Sequence, residues 1–177
     1  MKETLRLLLG YAVGGGLFLI AVPLGLAALA RFGHRTWGDG FPGPAGIRWA
    51  VAVPLFILGV VFAAWSNWAL LSIGQGGPTE AFGVALSPRT KKLVIVGPYR
   101  YSRNPMVFGA LCLYASLALA LNSILCLAAV AAAIPLFVVF LKLSEEKRLL
   151  KDFGQDFVDY RRRVPMILPW TKGRSRS

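Results

Sequence analysis

Charge is scarce in this sequence, and most of it has one sign. Only 16% of the 177 residues are charged, whereas about 25% are charged in an ordinary soluble domain. Eight acidic residues stand against 20 Lys and Arg, which leaves a formal net charge of +12. The composition excludes a typical soluble globular domain. The cations lie between long apolar runs and not over a polar surface, so nucleic acid is not expected as a partner.

Metal ligands and soluble catalytic motifs are also missing. The chain has two cysteines and one histidine, His34, which are too few soft ligands for a zinc site, and no metal site is predicted. No P-loop, dinucleotide-binding glycine motif or Ser-His-Asp arrangement is present. Cys112 and Cys126 are expected to be buried free thiols, because a helical hairpin folded between them would not bring their sulfurs together.

Three long uncharged runs dominate the sequence. They have 24, 31 and 38 residues and lie between Arg6 and Arg31, Arg48 and Glu80, and Arg103 and Lys142. Each of the first two can hold one membrane crossing of about 20 residues. As a single helix the third run would reach about 57 Å, nearly twice the ~30 Å hydrocarbon core. Its one adjacent polar pair, Asn122-Ser123, therefore predicts a tight turn between two helices.

The predicted fold class is an all-α polytopic membrane protein with four transmembrane helices. The spans are expected at approximately 7–30, 49–73, 105–121 and 124–141, within a single membrane domain over 1–177. An N-terminal signal peptide is the competing interpretation of residues 1–30. Its apolar region would be only about 7 to 15 residues long, so the run favours a retained span.

The distribution of cations predicts the topology. Seventeen Lys and Arg lie at the N-terminus, in the central loop and in the tail, and three lie on the other side. By the positive-inside rule both termini and the central loop face the cytoplasm. Residues 75–104 and 142–170 are then the cytoplasmic segments that can carry chemistry, and the basic tail 171–177 is expected to be disordered.

The predicted hairpin brings two polar segments to the same membrane face. One precedes Pro105 and contains Tyr99, Tyr101, Arg103 and Asn104, and the other begins with Glu145-Glu146. A carboxylate suits an ammonium group, a guanidinium suits a carboxylate, and an aromatic face suits a sulfonium. S-adenosylmethionine carries all of these groups. The alternative is that the aromatic and basic residues anchor the helices at the interface and that a glutamate simply pairs with Arg103.

Five motif blocks in this region carry a family resemblance. They are Gly97-Pro98-Tyr99-x-x-x-Arg103-Asn104-Pro105, Glu145-Glu146-x-x-Leu149, Phe153-Gly154, Tyr160, and Val164-Pro165. Their order and spacing, over roughly residues 91–169, resemble the isoprenylcysteine carboxyl methyltransferase and phospholipid methyltransferase superfamily. The segment before them reads like the lead-in of bacterial members, and a bacterial or archaeal cytoplasmic membrane is expected. The first two spans resemble the family only in being apolar.

The resemblance implies an integral-membrane, S-adenosylmethionine-dependent methyltransferase. By position, Arg103 and Glu146 would be the catalytic residues. The expected cofactor-binding residues are Gly97, Pro98, Tyr99, Tyr101, Arg103, Asn104, Pro105, Glu145, Glu146 and Tyr160. Asn104 stands where several members have His, so this position cannot accept a proton near neutrality, although it can still form hydrogen bonds. The amphipathic segment after Ser144, with residues 160–165, is expected to close the site or to lie on the membrane surface.

The expected partners are the lipid bilayer and a lipophilic methyl acceptor. A lipid head group, a prenylcysteine-like carboxylate and a small hydrophobic acid or thiol all fit, and no residue chooses among them. Two other functions stay open. One is an NADPH-dependent membrane reductase of related architecture, and the other is a non-catalytic membrane protein in which the motifs only cap helices.

Overall fold

The computed structural model describes residue 8 and residues 12–74, 80–81, 84–85 and 92–169. The basic tail 171–177, the start of the first predicted span and most of residues 75–91 lie outside the described residues. The described elements are helices α1 (Ala12–Trp37), α2 (Ala45–Gly74), α3 (Pro105–Ala120), α4 (Ile124–Leu143) and α5 (Glu145–Arg163), a 3-10 turn (Gly97–Arg100), and a two-residue antiparallel ladder of β1 (Glu80–Ala81) and β2 (Val84–Ala85).

The all-helical architecture is confirmed, with the short ladder as a minor addition. Within the described residues, α1, α2 and α4 are each long and apolar enough to cross a membrane. Helix α3 is equally apolar but has only 16 residues. Helix α1 continues to Trp37, past the predicted end of the first span at residue 30. The helix therefore extends through the cations Arg31 and Arg35.

Asn122 and Ser123 form the turn between α3 and α4, as the polar pair predicts. Asn122 adopts the left-handed conformation, with φ of 55°, which Asn tolerates better than most residues. Ser123 then caps α4, because its Oγ accepts a hydrogen bond from the Cys126 backbone N–H at 3.1 Å. Cys112 and Cys126 are both buried and unpaired with each other, which confirms the prediction of free thiols.

Helices α2 and α3 make the most extensive contact in the described part of the chain. Gly59 and Gly109 lie at its centre, and a Cβ on Gly59 would come within 2.8 Å of the Gly109 carbonyl oxygen. Only a residue without a side chain allows this approach, which resembles the close packing of small residues between membrane helices. A second cluster, made by Leu26, Ala30, Ala118, Cys126 and Val130, packs α1 against the α3–α4 hairpin.

Helix α5 leaves α4 through Ser144 and carries both acidic and basic residues. Its first turn holds Glu145 and Glu146, where negative charge is favourable near a helix N-terminus. Gly154, with φ of 50°, kinks the helix at its middle. Beyond the kink, Phe157 and Tyr160 are buried, so the second half of α5 turns an aromatic face inward.

Candidate functional site

The Gly97–Asn104 segment leads directly into α3 and forms one wall of the candidate site. Gly97 has φ of 62° and opens the 3-10 turn that ends at Arg100. Pro98 and Pro105 are fully buried, and Pro105 occupies the first turn of α3, where a missing N–H leaves no bond unmade. Both of these predicted cofactor-binding residues are therefore packed inside the protein.

Arg103 and Glu146 meet at the centre of the site. The guanidinium Nη1 pairs with Glu146 Oε1, and each side chain is only 12% exposed. The other carboxylate oxygen of Glu146 lies 3.6 Å from Arg161 Nη1, and Arg161 is 44% exposed. Glu146 therefore lies between the largely buried Arg103 and the exposed Arg161. A glutamate paired with Arg103 is also what the alternative of a purely structural role predicts.

The chain after α5 folds back over this wall. Residues Val164 to Ile167, called the strap below, use all four of their carbonyl oxygens as acceptors. Arg103 Nε donates to Val164 O at 3.0 Å, and the Arg103 and Asn104 backbone N–H groups donate to Pro165 O and Met166 O at 2.9 and 3.0 Å. The Ser102 hydroxyl donates to Ile167 O at 2.7 Å. The strap is thus hydrogen-bonded to residues 102–104 in a manner similar to two neighbouring strands of a sheet.

Two tyrosines lie beside the ion pair. The Tyr160 hydroxyl donates a hydrogen bond to the Tyr99 carbonyl at 2.6 Å, which joins α5 to the 3-10 turn. Burial raises the pKa of Tyr99 far above its usual range, and the nearby Glu145 carboxylate raises it further. Burial also raises the pKa of Tyr160, although Arg103 opposes the shift. Both phenols therefore stay neutral at physiological pH and can donate hydrogen bonds.

The structure brings about half of the predicted site residues together. Arg103 pairs with Glu146, Tyr160 lies near Arg103 and bonds the Tyr99 carbonyl, and Glu145 is close enough to influence Tyr99. The Asn104 side-chain amide donates to Met166 O at 3.0 Å and so holds the strap. Tyr101 is turned toward α2, where its ring centroid lies 6.5 Å from that of Trp65. Gly97 also faces this indole.

Sequence reasoning missed three contributors to the site. Ser102 is fully buried and bonds the strap, yet a serine within a polar motif gives no distinguishing signal. Arg161 reads as one of several topological cations until its contact with Glu146 is seen. Trp65 lies in an apolar run, where a tryptophan is typical of any membrane helix. Each role depends on a partner far away in the sequence.

The arrangement suits a zwitterionic ligand. The largely buried carboxylate and guanidinium can exchange each other for the ammonium and the carboxylate of one ligand. The neutral phenols and their rings add hydrogen bonding and a face for a positive charge. Within the described ranges, no three His, Cys, Asp or Glu side chains come together in a way that would hold a metal ion.

Comparison with known proteins gives one match. Neither the curated proteins nor the solved structures contain a match to the chain. The family model described as phospholipid methyltransferase matches residues 47–156, which is well over half of the chain. The matched stretch contains Arg103 and Glu146 and covers nearly all of α2 and the whole of α3 and α4. The protein therefore belongs to the phospholipid methyltransferase family, in the isoprenylcysteine and phospholipid methyltransferase group.

Proposed function

We propose that this chain is an integral-membrane enzyme that transfers a methyl group from S-adenosylmethionine to a lipophilic acceptor. One observation carries the proposal. Arg103 and Glu146 are 43 residues apart in sequence, and they meet as a largely buried ion pair within the stretch that matches the family. Family membership points to methyl transfer in a membrane, and the pair offers the groups that the amino-acid end of this methyl donor requires.

The residues at the site fit S-adenosylmethionine. Its ammonium would bind the Glu146 carboxylate, and its carboxylate would bind the Arg103 guanidinium. Arg161, at 3.6 Å from Glu146, would keep that carboxylate partly neutralised while Arg103 changes partner. Because Tyr99 and Tyr160 stay neutral, their rings and hydroxyls are compatible with a positively charged sulfonium nearby.

When bound, the cofactor supplies a methyl group that is already activated on a sulfonium. The protein then has to hold the acceptor atom about 3 to 3.5 Å from that carbon and exclude water. The strap and the second half of α5 cover the site for this purpose. Arg100 or the basic end of α5 would hold an acidic acceptor.

We propose that the acceptor enters the site from the bilayer. In the proposed topology the chain crosses the membrane four times, with both termini in the cytoplasm. The long apolar helices α1, α2 and α4 and the count of 17 cations against 3 support this topology. Helix α3 is about 24 Å long at 1.5 Å per residue, so its ends would lie at the edges of the hydrocarbon core or thin it locally. A reporter fused after Ser177 and one inserted at Asn122 should report opposite sides of the membrane.

Ligand binding separates the methyltransferase from a reductase. The purified protein in detergent is titrated with S-adenosylhomocysteine and with NADPH in a calorimeter. The proposal requires binding of the first and none of the second. Incubation with labelled S-adenosylmethionine and a membrane lipid extract, followed by mass spectrometry, should then identify the labelled acceptor. Label found only in water-soluble products would contradict a lipophilic acceptor.

Two substitutions separate a cofactor role from a bracing role. Glu146→Gln and Arg103→Ala should weaken S-adenosylhomocysteine binding by roughly 10- to 100-fold, since a hydrogen bond to a charged group contributes about 1.5–3 kcal/mol. Asp152→Asn and Arg162→Ala are matched controls, because both residues are exposed on α5. A non-catalytic protein in which the pair only braces the helices predicts instead that the two variants lose expression or folding.

A further inference from the structure

The Gly97–Asn104 segment, which carries Arg103, is held from two sides. On one side the strap accepts hydrogen bonds from Ser102, Arg103 and Asn104. On the other side it meets α2, which contributes the side chain of Trp65. The strap fixes the C-terminal half of the segment, whereas the N-terminal half is held by the contact with α2 and by the hydrogen bond from Tyr160 to the Tyr99 carbonyl.

Trp65 touches the segment at two points. A Cβ added to Gly97 would lie 3.3 Å from the indole Nε1, so the backbone of this residue passes close to the indole. The ring of Tyr101 lies against the same indole, with centroids 6.5 Å apart and planes tilted by 51°. Gly97 begins the 3-10 turn and Tyr101 follows it, which means that Trp65 contacts the segment at both ends of this turn.

Trp65 itself is attached to the most closely packed part of the fold. Its ring lies 6.3 Å from that of Phe62, which in turn lies 4.9 Å from Phe108 on α3. Phe62 and Phe108 flank the close contact between Gly59 and Gly109. A continuous row of aromatic rings therefore connects the junction of α2 and α3 to the turn that precedes Arg103. The pairs of Phe62 with Phe108 and with Trp65 are edge-to-face, an arrangement that aromatic rings prefer.

We propose that Trp65 is a positioning residue for cofactor binding, acting through Gly97 and Tyr101 to hold Arg103 opposite Glu146. This role rests on the proposed function. Loss of the indole removes the α2 contact of the N-terminal half, so the turn that leads to Arg103 is held less firmly and the guanidinium is aligned less well with the carboxylate. Small displacements of a binding group are costly, because a site has to be held within about 0.5 Å of its productive geometry.

The test compares Trp65→Ala with Trp68→Ala in the full-length protein. Trp68 lies one helical turn further along α2, and it is 63% exposed, against 37% for Trp65. Two quantities are measured in the same detergent: the dissociation constant for S-adenosylhomocysteine, and hydrogen–deuterium exchange of peptides that cover residues 97–104. We expect Trp65→Ala to weaken binding about five- to tenfold and to accelerate exchange in these peptides. Trp65→Phe should restore part of both, and Trp68→Ala should leave both unchanged.

The outcomes distinguish this role from the proposed function. Unchanged hydrogen–deuterium exchange in Trp65→Ala overturns the positioning role, whether or not the affinity for S-adenosylhomocysteine changes. Faster exchange with unchanged affinity also overturns it, because the contact is then only structural. A wild-type protein that binds no S-adenosylhomocysteine overturns the proposed function, and the positioning role with it. If Trp65→Ala does not fold, Trp65→Phe against Trp68→Phe decides, with weaker binding and faster exchange expected only in the former.

Discussion

The two ends of the α3–α4 hairpin use a carboxylate in different ways. At the site end, Glu146 is bound by the side chains of Arg103 and Arg161. At the opposite end, called the hairpin end below, Asp39 accepts hydrogen bonds from the Ser123 hydroxyl at 2.5 Å and from the backbone N–H groups of Ile124 and Leu125 at 3.0 and 3.3 Å. Asp39 thus caps α4, whose N-terminus favours negative charge.

The hairpin end is further closed by His34 and Asn122. The two ring nitrogens of His34 lie against the carbonyl oxygens of Asp39 and Leu121. Asn122 Oδ1 accepts from the Phe41 backbone N–H at 3.1 Å and also pairs with Arg48. These contacts join the end of α1 and the loop that follows it to the turn between α3 and α4.

The difference lies in the mobility of the donors. The backbone N–H groups that hold Asp39 belong to a helix and cannot leave without unfolding its first turn, so this carboxylate is committed to the structure. The guanidinium groups that hold Glu146 are at the ends of flexible side chains, which can turn toward a ligand at little cost to the fold. Charge of the same sign can therefore stabilise a fold at one end and remain available for binding at the other.

The largest expected effect comes from a change that disturbs both ends at once. In Gly59→Val the new Cβ would meet Leu113 Cγ at 2.6 Å and the Gly109 carbonyl oxygen at 2.8 Å. Overpacking typically costs about 1–3 kcal/mol, and a backbone neighbour cannot turn aside as a side chain can. Thermal denaturation should show a strongly lowered midpoint, and ligand binding should be lost. Gly25→Ala is the control, because among the described residues nothing beyond the adjacent backbone of α1 lies within 4 Å of its new Cβ.

Replacing the ion pair by apolar side chains should affect only the site end. In the double variant Arg103→Met with Glu146→Leu, S-adenosylhomocysteine binding should disappear. The stability should stay within about 1 kcal/mol of wild type, because apolar replacement of a buried pair is often neutral. Calorimetry and thermal denaturation measure the two effects. A loss of several kcal/mol in stability would show that the pair belongs to the fold, as Asp39 does.

The complementary change at the hairpin end is Asp39→Ala. It leaves the Ser123 hydroxyl and the N–H groups of Ile124 and Leu125 without their acceptor, so the denaturation midpoint should fall. Ligand affinity should stay within twofold of wild type, roughly the precision of such a titration. Asp156→Ala, an exposed acid on α5, is the matched control. Loss of binding in Asp39→Ala with an unchanged midpoint would refute the division between the two ends.

The stabilisation from Asp39 should depend on pH with a definite sign. The hydrogen bond from Ser123, together with those from the backbone, lowers the pKa of Asp39 below its ordinary value of 3.8. A lowered pKa in the folded state means that the stabilisation is complete above pH 3.8 and is lost as the pH falls through the folded value. The difference in midpoint between wild type and Asp39→Ala should therefore shrink on acidification below pH 3.8. A constant difference down to pH 2 would contradict this assignment.

The smallest expected effect is that of Tyr160→Phe. The change removes one hydrogen bond, from the Tyr160 hydroxyl to the Tyr99 carbonyl, which contributes about 1 kcal/mol. Binding of S-adenosylhomocysteine should weaken by a few-fold, because the hydroxyl joins α5 to the turn before Arg103. The hairpin end should be unaffected, so combining Tyr160→Phe with Asp39→Ala should give additive changes in the denaturation midpoint. Strong non-additivity would show that the two ends are coupled.

The helical architecture could be predicted because its signals are local. Long apolar runs predict helices, and the single polar pair in the longest run predicts the turn at Asn122-Ser123. The motif from Gly97 to Pro105 and the pair Glu145-Glu146 could be assigned to the same end for the same reason. Their binding of a cofactor stays a prediction that the experiments above address.

The parts of the site that the sequence did not predict depend on contacts between residues that are far apart in the chain. Adjacent positions on a helix point about 100° apart, so only the packing of α5 places Glu146 against Arg103. The contact of Trp65 with Gly97 and Tyr101 spans more than 30 positions in the chain, and the bonds from Ser102 to the strap span more than 60. Nothing in the residue types at these positions distinguishes them from generic membrane or loop residues.

Composition and hydropathy by themselves determined that this is a helical membrane protein with a hairpin between residues 105 and 141, and its short motifs indicated the family. Only the tertiary structure decided that Glu146 lies between two arginines, that the strap covers residues 102–104, and that Asp39 caps α4. The physical reason is that hydropathy acts on each segment separately, whereas the Arg103–Glu146 pair and the Asp39 cap exist only because packing brings groups that are distant in the sequence within hydrogen-bonding distance.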